Sequence, residues 1–176
     1  MDSLASPILY ISLLLVLLSS AVFFVARQVL KTRRVESAFT RLQNKLSKEK
    51  GTAEEHYELG SILLDKRLFT QAIAQYQKAI KLETLEGQDL AAVYNAMGFA
   101  YFAQEQYDLA IRQYKEALKL LPEYVTALNN LGHAYERKQL AAPALEIYEQ
   151  ALELEPTNQT AKRRADALRK RLVPSA

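Results

Sequence analysis

The pattern of hydrophobic and polar positions divides the chain into three parts. Residues 8–26 are an apolar run of nineteen positions without a charged side chain. As a helix this run is about 28 Å long, close to the ~30 Å hydrocarbon core of a membrane. Residues 35–46 place Val35, Phe39, Leu42 and Leu46 on one helix face. The pattern predicts a membrane helix over 8–26 after a short segment 1–7, an amphipathic connecting helix over 27–51, and a helical body.

The flanks of the apolar run favour a retained anchor over a cleaved signal peptide. A signal peptide has a positive n-region and a shorter apolar stretch, whereas Asp2 is the sole charge ahead of this long run. Basic residues follow it directly, at Arg27, Lys31, Arg33 and Arg34. Because positive flanks stay on the cytoplasmic side, the body is expected on the cytoplasmic or stromal face. These cations either hold anionic lipid or only fix the topology.

The body carries a repeated pattern, visible when Gly60, Gly98 and Gly132 are aligned. Similar residues recur at fixed distances from each glycine, with Thr84 as the one clear exception: Ala72, Ala110 and Ala144; Tyr76, Tyr114 and Tyr148; Leu63, Tyr101 and Tyr135; Thr84, Pro122 and Pro156. This resembles the tetratricopeptide (TPR) pattern of 34-residue helix–turn–helix units. The resemblance implies an all-α superhelix with repeats at 53–86, 91–124 and 125–158. One unit cannot bury its own apolar face, so neighbouring units must stack.

The ends and the first junction depart from the regular repeat. Gly60 and Gly98 are 38 residues apart rather than 34, which places four extra residues near 87–90. Because Thr84 replaces proline, the second helix of repeat 1 is expected to continue by one turn. Residues 159–172 predict a C-terminal capping helix before a tail at 173–176. The connecting helix either packs on the body or pairs with another copy, so self-association is left open.

Charge and composition exclude several classes of function. The net charge is +6 over 27–50, −7 over 51–158 and +5 over 159–176, unlike a uniformly basic nucleic-acid binder. The chain has no cysteine, which excludes disulfides and thiolate chemistry. His56 and His133 lie in different repeats without a partner at metal-ligand spacing. His56 is interpreted as a packing residue. We therefore predict neither an enzyme nor a metal or cofactor site.

The TPR resemblance also implies a binding groove, because the second, fifth, ninth and twelfth positions of each first helix face inward in such proteins. In this sequence those positions hold Glu54, Tyr57, Ser61 and Leu64; Ala92, Asn95, Phe99 and Phe102; and Thr126, Asn129, His133 and Glu136. The middle of the groove is thus apolar and aromatic, with two Asn amides suited to a peptide backbone. We predict a protein-binding groove formed chiefly by Tyr57, Ser61, Asn95, Phe99, Phe102, Asn129, His133 and Glu136.

Two alternatives bear on this groove. Some of its residues would instead be covered if the connecting helix or a second copy packed over them. TPR domains that clamp the C-terminal carboxylate of heat-shock chaperones carry basic residues where this chain has Tyr57, Thr126 and Asn130. The positive charge of such a clamp is missing, which argues against chaperone-tail binding.

The order of an anchor, a basic flank, three TPR units and a basic tail resembles the photosystem I assembly-related TPR family of cyanobacteria and algal plastids. The resemblance implies a single-pass thylakoid protein that binds photosystem I subunits or assembly intermediates, with residues 8–34 in contact with lipid. One alternative is a tethered TPR adaptor for protein import or another membrane complex. The other is a pigment-handling protein that stacks a ring on Phe99 and Phe102.

Overall fold

The computed structural model describes residues 5–172, which form eight α-helices and no β-strand. The expected all-α class is confirmed. In chain order the helices are α1 (Ala5–Leu46), α2 (Ala53–Asp65), α3 (Phe69–Lys81), α4 (Gly87–Ala103), α5 (Tyr107–Leu120), α6 (Val125–Arg137), α7 (Ala141–Leu154) and α8 (Gln159–Leu172). The N-terminal residues before Ala5 and the tail at 173–176 lie outside the described residues. The chain divides into two units, one ending at Ser47 and the other beginning at Lys48.

The first unit is the single 42-residue helix α1, which carries the apolar run and the amphipathic stretch without a break. By length and composition, α1 is the one helix within residues 5–172 that is able to cross a membrane. The hydroxyls of Ser12, Ser19 and Ser20 donate to carbonyls three or four residues earlier at 2.7–2.9 Å. These polar groups are therefore satisfied inside the helix, as an apolar surrounding requires.

The connecting helix ends earlier than the sequence analysis expected. It was predicted to reach Gly51, but α1 ends at Leu46. Just beyond that end, the Ser47 hydroxyl donates to the Asn44 carbonyl at 2.9 Å, a local bond that favours a turn. Thr52 then begins α2 with a capping box, in which its hydroxyl accepts from the Glu55 amide and its own amide donates to the Glu55 carboxylate.

The second unit is a stack of helix pairs in which every helix from α2 to α8 packs against its neighbours in sequence. A glycine on the first helix of each repeat lies directly against a buried tyrosine on the second. A Cβ atom built on Gly60, Gly98 or Gly132 would lie 2.6–2.8 Å from the ring of Tyr76, Tyr114 or Tyr148 respectively. Real Cβ atoms do not approach that closely, so these positions require glycine. The repeated glycines thus set the spacing between the paired helices.

The turn between the two helices also repeats. Arg67, Glu105 and Gln139 occupy equivalent positions and are left-handed, with φ of 61°, 60° and 60°. In each turn the following amide donates to the carbonyl five residues back, as when the Leu68 amide bonds the Leu63 carbonyl at 2.8 Å. This is the Schellman ending of a helix, here made without glycine.

The four extra residues extend α4 rather than α3, so the expected extension of α3 is wrong. Helix α3 ends at Lys81, one residue earlier than the equivalent ends of α5 and α7. Glu83 is left-handed with φ of 53°, which stops the helix without a proline. Leu85 is buried, and α4 then starts at Gly87, four residues before the position equivalent to the start of α2 or α6.

Helix α8 covers the C-terminal end of the stack. It buries Ala161, Ala165 and Leu168 in one cluster with Ala144, Tyr148 and Ala151 of α7. Asn158 caps its start, because the Asn158 side-chain oxygen accepts from the Ala161 amide at 3.0 Å. Leu172, one turn beyond Leu168, is 41% exposed, so the buried side of α8 ends at Leu168.

Candidate protein-binding surface

The candidate site is the face formed by the first helices of the three repeats, α2, α4 and α6. Helix α2 contacts α4, and α4 contacts α6. Within residues 5–172 the second helices α3, α5 and α7 make no comparable contact with one another. The first helices are therefore the more closely spaced set, as on the inner side of a curved stack. We refer to this surface as the groove.

Asn95 lies at the centre of the groove and connects two repeats. Its Oδ1 accepts a hydrogen bond from Asn130 Nδ2 at 2.9 Å, and its Nδ2 donates to the Tyr124 hydroxyl at 3.5 Å. Burial raises the pKa of Tyr124, and the nearby Tyr57 raises that pKa further. An α2 tyrosine, an α4 amide and α6 groups are thus close enough to act together on one ligand.

Asn129, the second amide predicted for the groove, has a different environment. Its Oδ1 is buried and has no hydrogen-bond partner within the described residues. The structure therefore pairs Asn95 with Asn130 and not with Asn129. The amides of Asn95 and Asn130 remain half-buried, so they form a short polar track along the groove.

The two groove phenylalanines also differ. Phe99 is 45% exposed and offers an apolar contact surface. Phe102 is half-buried between rings of other elements, with its centroid 4.7 Å from the His133 ring and 5.4 Å from the Tyr107 ring. Phe102 therefore shapes the wall of the groove, and Phe99 is the side chain able to contact a partner.

His133 is half-buried on α6 and favours its neutral form. Burial is the main cause that lowers its pKa, and the Arg164 guanidinium lowers it further. The Glu136 carboxylate acts in the opposite sense. A neutral imidazole beside an aromatic ring suits stacking and hydrogen bonding better than ion pairing.

Glu136 closes the α8 end of the groove. Its Oε1 accepts from the Tyr148 hydroxyl at 2.6 Å and from Arg164 Nη1 at 3.0 Å. This carboxylate is therefore occupied by the protein's own groups. Glu136 therefore links α6, α7 and α8, and its carboxylate is not available to attract a cation of a binding partner.

At the other end, Tyr57 and Ser61 lie on α2. The Tyr57 and Tyr76 rings are 6.0 Å apart, and the Ser61 hydroxyl donates to the Tyr57 carbonyl at 2.9 Å. His56 is buried, with its Nδ1 2.8 Å from the Gln75 side-chain oxygen, in agreement with its interpretation as a packing residue. Within residues 5–172 no three His, Asp or Glu side chains are grouped as metal ligands would be.

Three residues of this surface were missed by the sequence reasoning. The sequence analysis names Asn130 only as a position where chaperone-binding TPR domains carry a basic residue. Its place next to Asn129 was a signal that it could also belong to the groove. Tyr124 precedes α6 and falls outside the four inward positions. Arg164 belongs to α8, which is not a repeat, so no periodic signal pointed to it.

Family models described as TPR repeat and tetratricopeptide repeat match residues 98–139, and residues 53–84 and 125–158, respectively. The ycf37 protein of Cyanophora paradoxa is 34% identical over 89% of this chain and 90% of its own length. The chloroplastic TPR protein PYG7 of Arabidopsis thaliana is 40% identical over 93% of this chain, which spans only 54% of that relative. The crystal structure of MamA has a TM-score of 0.73 at 22% identity, covering 81% of each chain, and shows the same fold.

Proposed function

The chain belongs to the ycf37 family of TPR proteins, which are protein-interaction scaffolds, and from that premise we propose that it is a non-enzymatic, membrane-anchored scaffold for photosystem I assembly or stability. In this proposal α1 crosses the thylakoid membrane once. The TPR body on the cytoplasmic or stromal face binds photosystem I subunits or assembly intermediates.

The observation that carries the binding proposal is the composition of the groove. An exposed Phe99 lies one turn from Asn95, whose amide is linked to Asn130 on the next repeat. Apolar contact beside half-buried amides suits a protein segment, which offers side chains and backbone hydrogen-bonding groups together. Among the titratable groups of the groove, Glu136 is already bonded to Tyr148 and Arg164, which argues against a catalytic role for it.

The anchoring proposal is supported by α1. Arg27, Lys31 and Arg34 lie at i, i+4 and i+7, so three cations share one face of α1 directly after the apolar run. Together with Arg33 they favour the cytoplasmic or stromal face for that end of the helix. An anchor confines the body to the membrane surface and raises its effective concentration near membrane-bound partners. The thylakoid assignment comes from the sequence resemblance and from the plastid relatives.

Affinity isolation from detergent-solubilised native membranes tests the partner and the groove together. The wild type is compared with a groove variant, Asn95→Ala, Phe99→Ala and Asn130→Ala. The matched control changes exposed residues on the second helices, Gln77→Ala, Leu109→Ala and Glu146→Ala. We expect photosystem I subunits with the wild type and the control, and their loss with the groove variant.

The possible failures of this experiment separate the claims. If photosystem I subunits are absent from the wild-type eluate, the partner assignment is wrong. If they appear equally with the groove variant, binding uses another surface while the assignment stands. The orientation is tested separately in sealed thylakoid vesicles, because the chain has no cysteine and a single introduced cysteine gives an unambiguous label. If a cysteine introduced in the TPR body by Ala167→Cys is labelled only by a reagent on the lumenal side, the proposed orientation is wrong.

A further inference from the structure

The outward side of α8 is a second charged surface that the groove does not involve. Its inward side is fixed to α7 through Ala161, Ala165 and Leu168, all of which are buried. The opposite side therefore points away from the stack and is not covered by a further repeat within the described residues. It carries most of the positive charge of residues 159–176.

Two of the six cations of α8 are paired within the protein. Arg164 binds Glu136, and Arg169 binds both Glu149 at 2.8 Å and Asp166 at 3.0 Å. Asp166 is the one acidic residue of α8, and this bond occupies it. The local acidic groups therefore neutralise Arg164 and Arg169 and leave the rest of the helix positive.

The other four cations are exposed and have no ion pair within residues 5–172: Lys162, Arg163, Lys170 and Arg171. We name these four side chains the basic face of α8. Arg163 and Lys170 are seven residues apart, so they project to the same side, about 10 Å apart along the helix axis. The basic face thus distributes its positive charge along the helix, and α8 has no aromatic side chain.

We propose that the basic face of α8 binds an anionic lipid surface, that of the membrane in which α1 is anchored. Unpaired cations near a negatively charged leaflet are attracted additively, and four of them on one helix form a polybasic contact. The proposal rests on the proposed anchoring, since a chain held by α1 keeps its body within reach of that surface. The body then has a second attachment point besides the membrane helix.

The character of the basic face favours lipid over an acidic protein. Protein interfaces are centred on aromatic or large apolar anchors in fitted pockets. The outward side of α8 offers flexible lysine and arginine side chains around Ala167 instead. Such a surface matches a fluid layer of headgroups, where charge density rather than shape is recognised.

The full-length chain with Ala167→Cys tests the proposal. The sequence has no cysteine, so the introduced residue is the sole site for a thiol-reactive label. It carries an environment-sensitive fluorophore and is reconstituted into phosphatidylcholine vesicles with or without about one-third phosphatidylglycerol. A quencher attached to lipid headgroups reports contact of α8 with the surface. We expect about fivefold stronger quenching with phosphatidylglycerol than without it, and loss of the difference in about 0.5 M salt.

Two variants, each also carrying the label, separate the basic face from overall charge. The first removes the face, with Lys162→Ala, Arg163→Ala, Lys170→Ala and Arg171→Ala. The control removes four cations from α3 and α5, with Lys78→Ala, Lys81→Ala, Arg112→Ala and Lys119→Ala. We expect the first to lose the phosphatidylglycerol-dependent quenching and the control to retain it. Should the first variant not fold by circular dichroism, exchanging Lys for Arg and Arg for Lys at the same four positions must preserve the quenching.

Several results would overturn the proposal. Equal quenching in neutral vesicles, or equal loss in the control variant, would show that the basic face is not the contact. Quenching that falls as the protein-to-lipid ratio rises would assign the face to a second copy. Flotation separates this inference from the anchor: a chain that floats with vesicles but is unquenched contradicts the α8 contact alone. A chain that does not float contradicts the anchoring and this inference with it.

Discussion

Repeats 1 and 3 share one packing contact but complete it differently. In both repeats a glycine lies against the ring of a fully buried tyrosine sixteen residues later. The Tyr76 hydroxyl of repeat 1 is buried without a hydrogen-bond partner in the described part of the chain. The Tyr148 hydroxyl of repeat 3 donates to Glu136 at 2.6 Å. Repeats 1 and 3 thus share the glycine–tyrosine packing contact, whereas of these two only repeat 3 gives the tyrosine hydroxyl a hydrogen-bond partner within the described residues.

The difference arises at the twelfth position of the first helix and in α8. Repeat 1 has Leu64 where repeat 3 has Glu136, so Tyr76 lacks the carboxylate that serves Tyr148. Burial raises the pKa of Tyr76 to about 12, and a nearby Ser61 hydroxyl that offsets part of this rise donates instead to the Tyr57 carbonyl. Arg164 from α8 balances the charge of Glu136. The terminal helix α8 therefore supplies a partner for a half-buried carboxylate in repeat 3.

Substitution of the glycines at the shared contact should cost the most stability. Gly60→Ala and Gly132→Ala should each destabilise the body by about 2–3 kcal/mol, because the new Cβ overlaps a buried ring that cannot move freely. The measurement is urea denaturation of the full-length chain in detergent, followed by far-UV circular dichroism. Gly87→Ala is the control. Alanine costs about 1 kcal/mol at this left-handed position, but its Cβ would have no neighbouring atom within 4 Å. If Gly60→Ala and Gly132→Ala lose very different free energies of unfolding, the glycine–tyrosine contacts of the two repeats are not equivalent.

Removal of the tyrosine hydroxyl should affect repeats 1 and 3 differently. Tyr148→Phe should cost about 1–2 kcal/mol, since it removes a hydrogen bond to a charged and partly buried carboxylate. Tyr76→Phe should be neutral or stabilising by up to about 1 kcal/mol, because it removes a buried hydroxyl without a partner. The same denaturation experiment measures both. Equal losses would mean that Tyr76 has a partner, such as a bound water.

The sequence predicted the parts of the fold that depend on spacing. Gly60, Gly98 and Gly132 mark the contacts because each needs a partner at a constant distance along the chain, and such regularity is visible without coordinates. The fate of the four inserted residues was not predictable in this way. A missing proline suggested a longer α3, but Glu83 adopts a left-handed backbone and Leu85 is buried, so the extra turn joined α4.

The candidate site was predictable by position but not by pairing. The repeat register placed Asn95, Phe99 and His133 on first helices, but it could not show that Asn95 bonds Asn130 across two repeats. That bond depends on how α4 and α6 are rotated against each other, which no local pattern encodes. Arg164 reaches Glu136 from a helix outside the repeats, so the ion pair depends on the packing of α8.

A smaller effect concerns His133, whose equivalent in repeat 1 is the non-titrating Ser61. The folded pKa of His133 lies below its ordinary 6.5, because burial and Arg164 disfavour the imidazolium. The unfolded state therefore binds the proton more readily, and the free energy of unfolding should fall as the pH falls below about 6.5. Titration of the imidazole signals by NMR measures this pKa. Arg164→Gln should raise it, and a value at or above the ordinary one in the wild type would contradict the burial argument.

Repeats 1 and 3 also share the left-handed turn after their first helices, where glycine substitutions should change stability only slightly. Arg67 and Gln139 end their helices with the same left-handed backbone, at φ of 61° and 60°. Glycine relieves about 1–2 kcal/mol of steric cost there and adds about 0.5–1 kcal/mol of unfolded-state entropy, so Arg67→Gly and Gln139→Gly should each stabilise by about 0.5 kcal/mol. Glu146→Gly, at an exposed helical position of α7, should instead destabilise by about 1 kcal/mol. Unequal gains at Arg67 and Gln139 would show that the Arg67 side chain stabilises its turn, and that the two repeats differ in their backbone frame as well as in their polar groups.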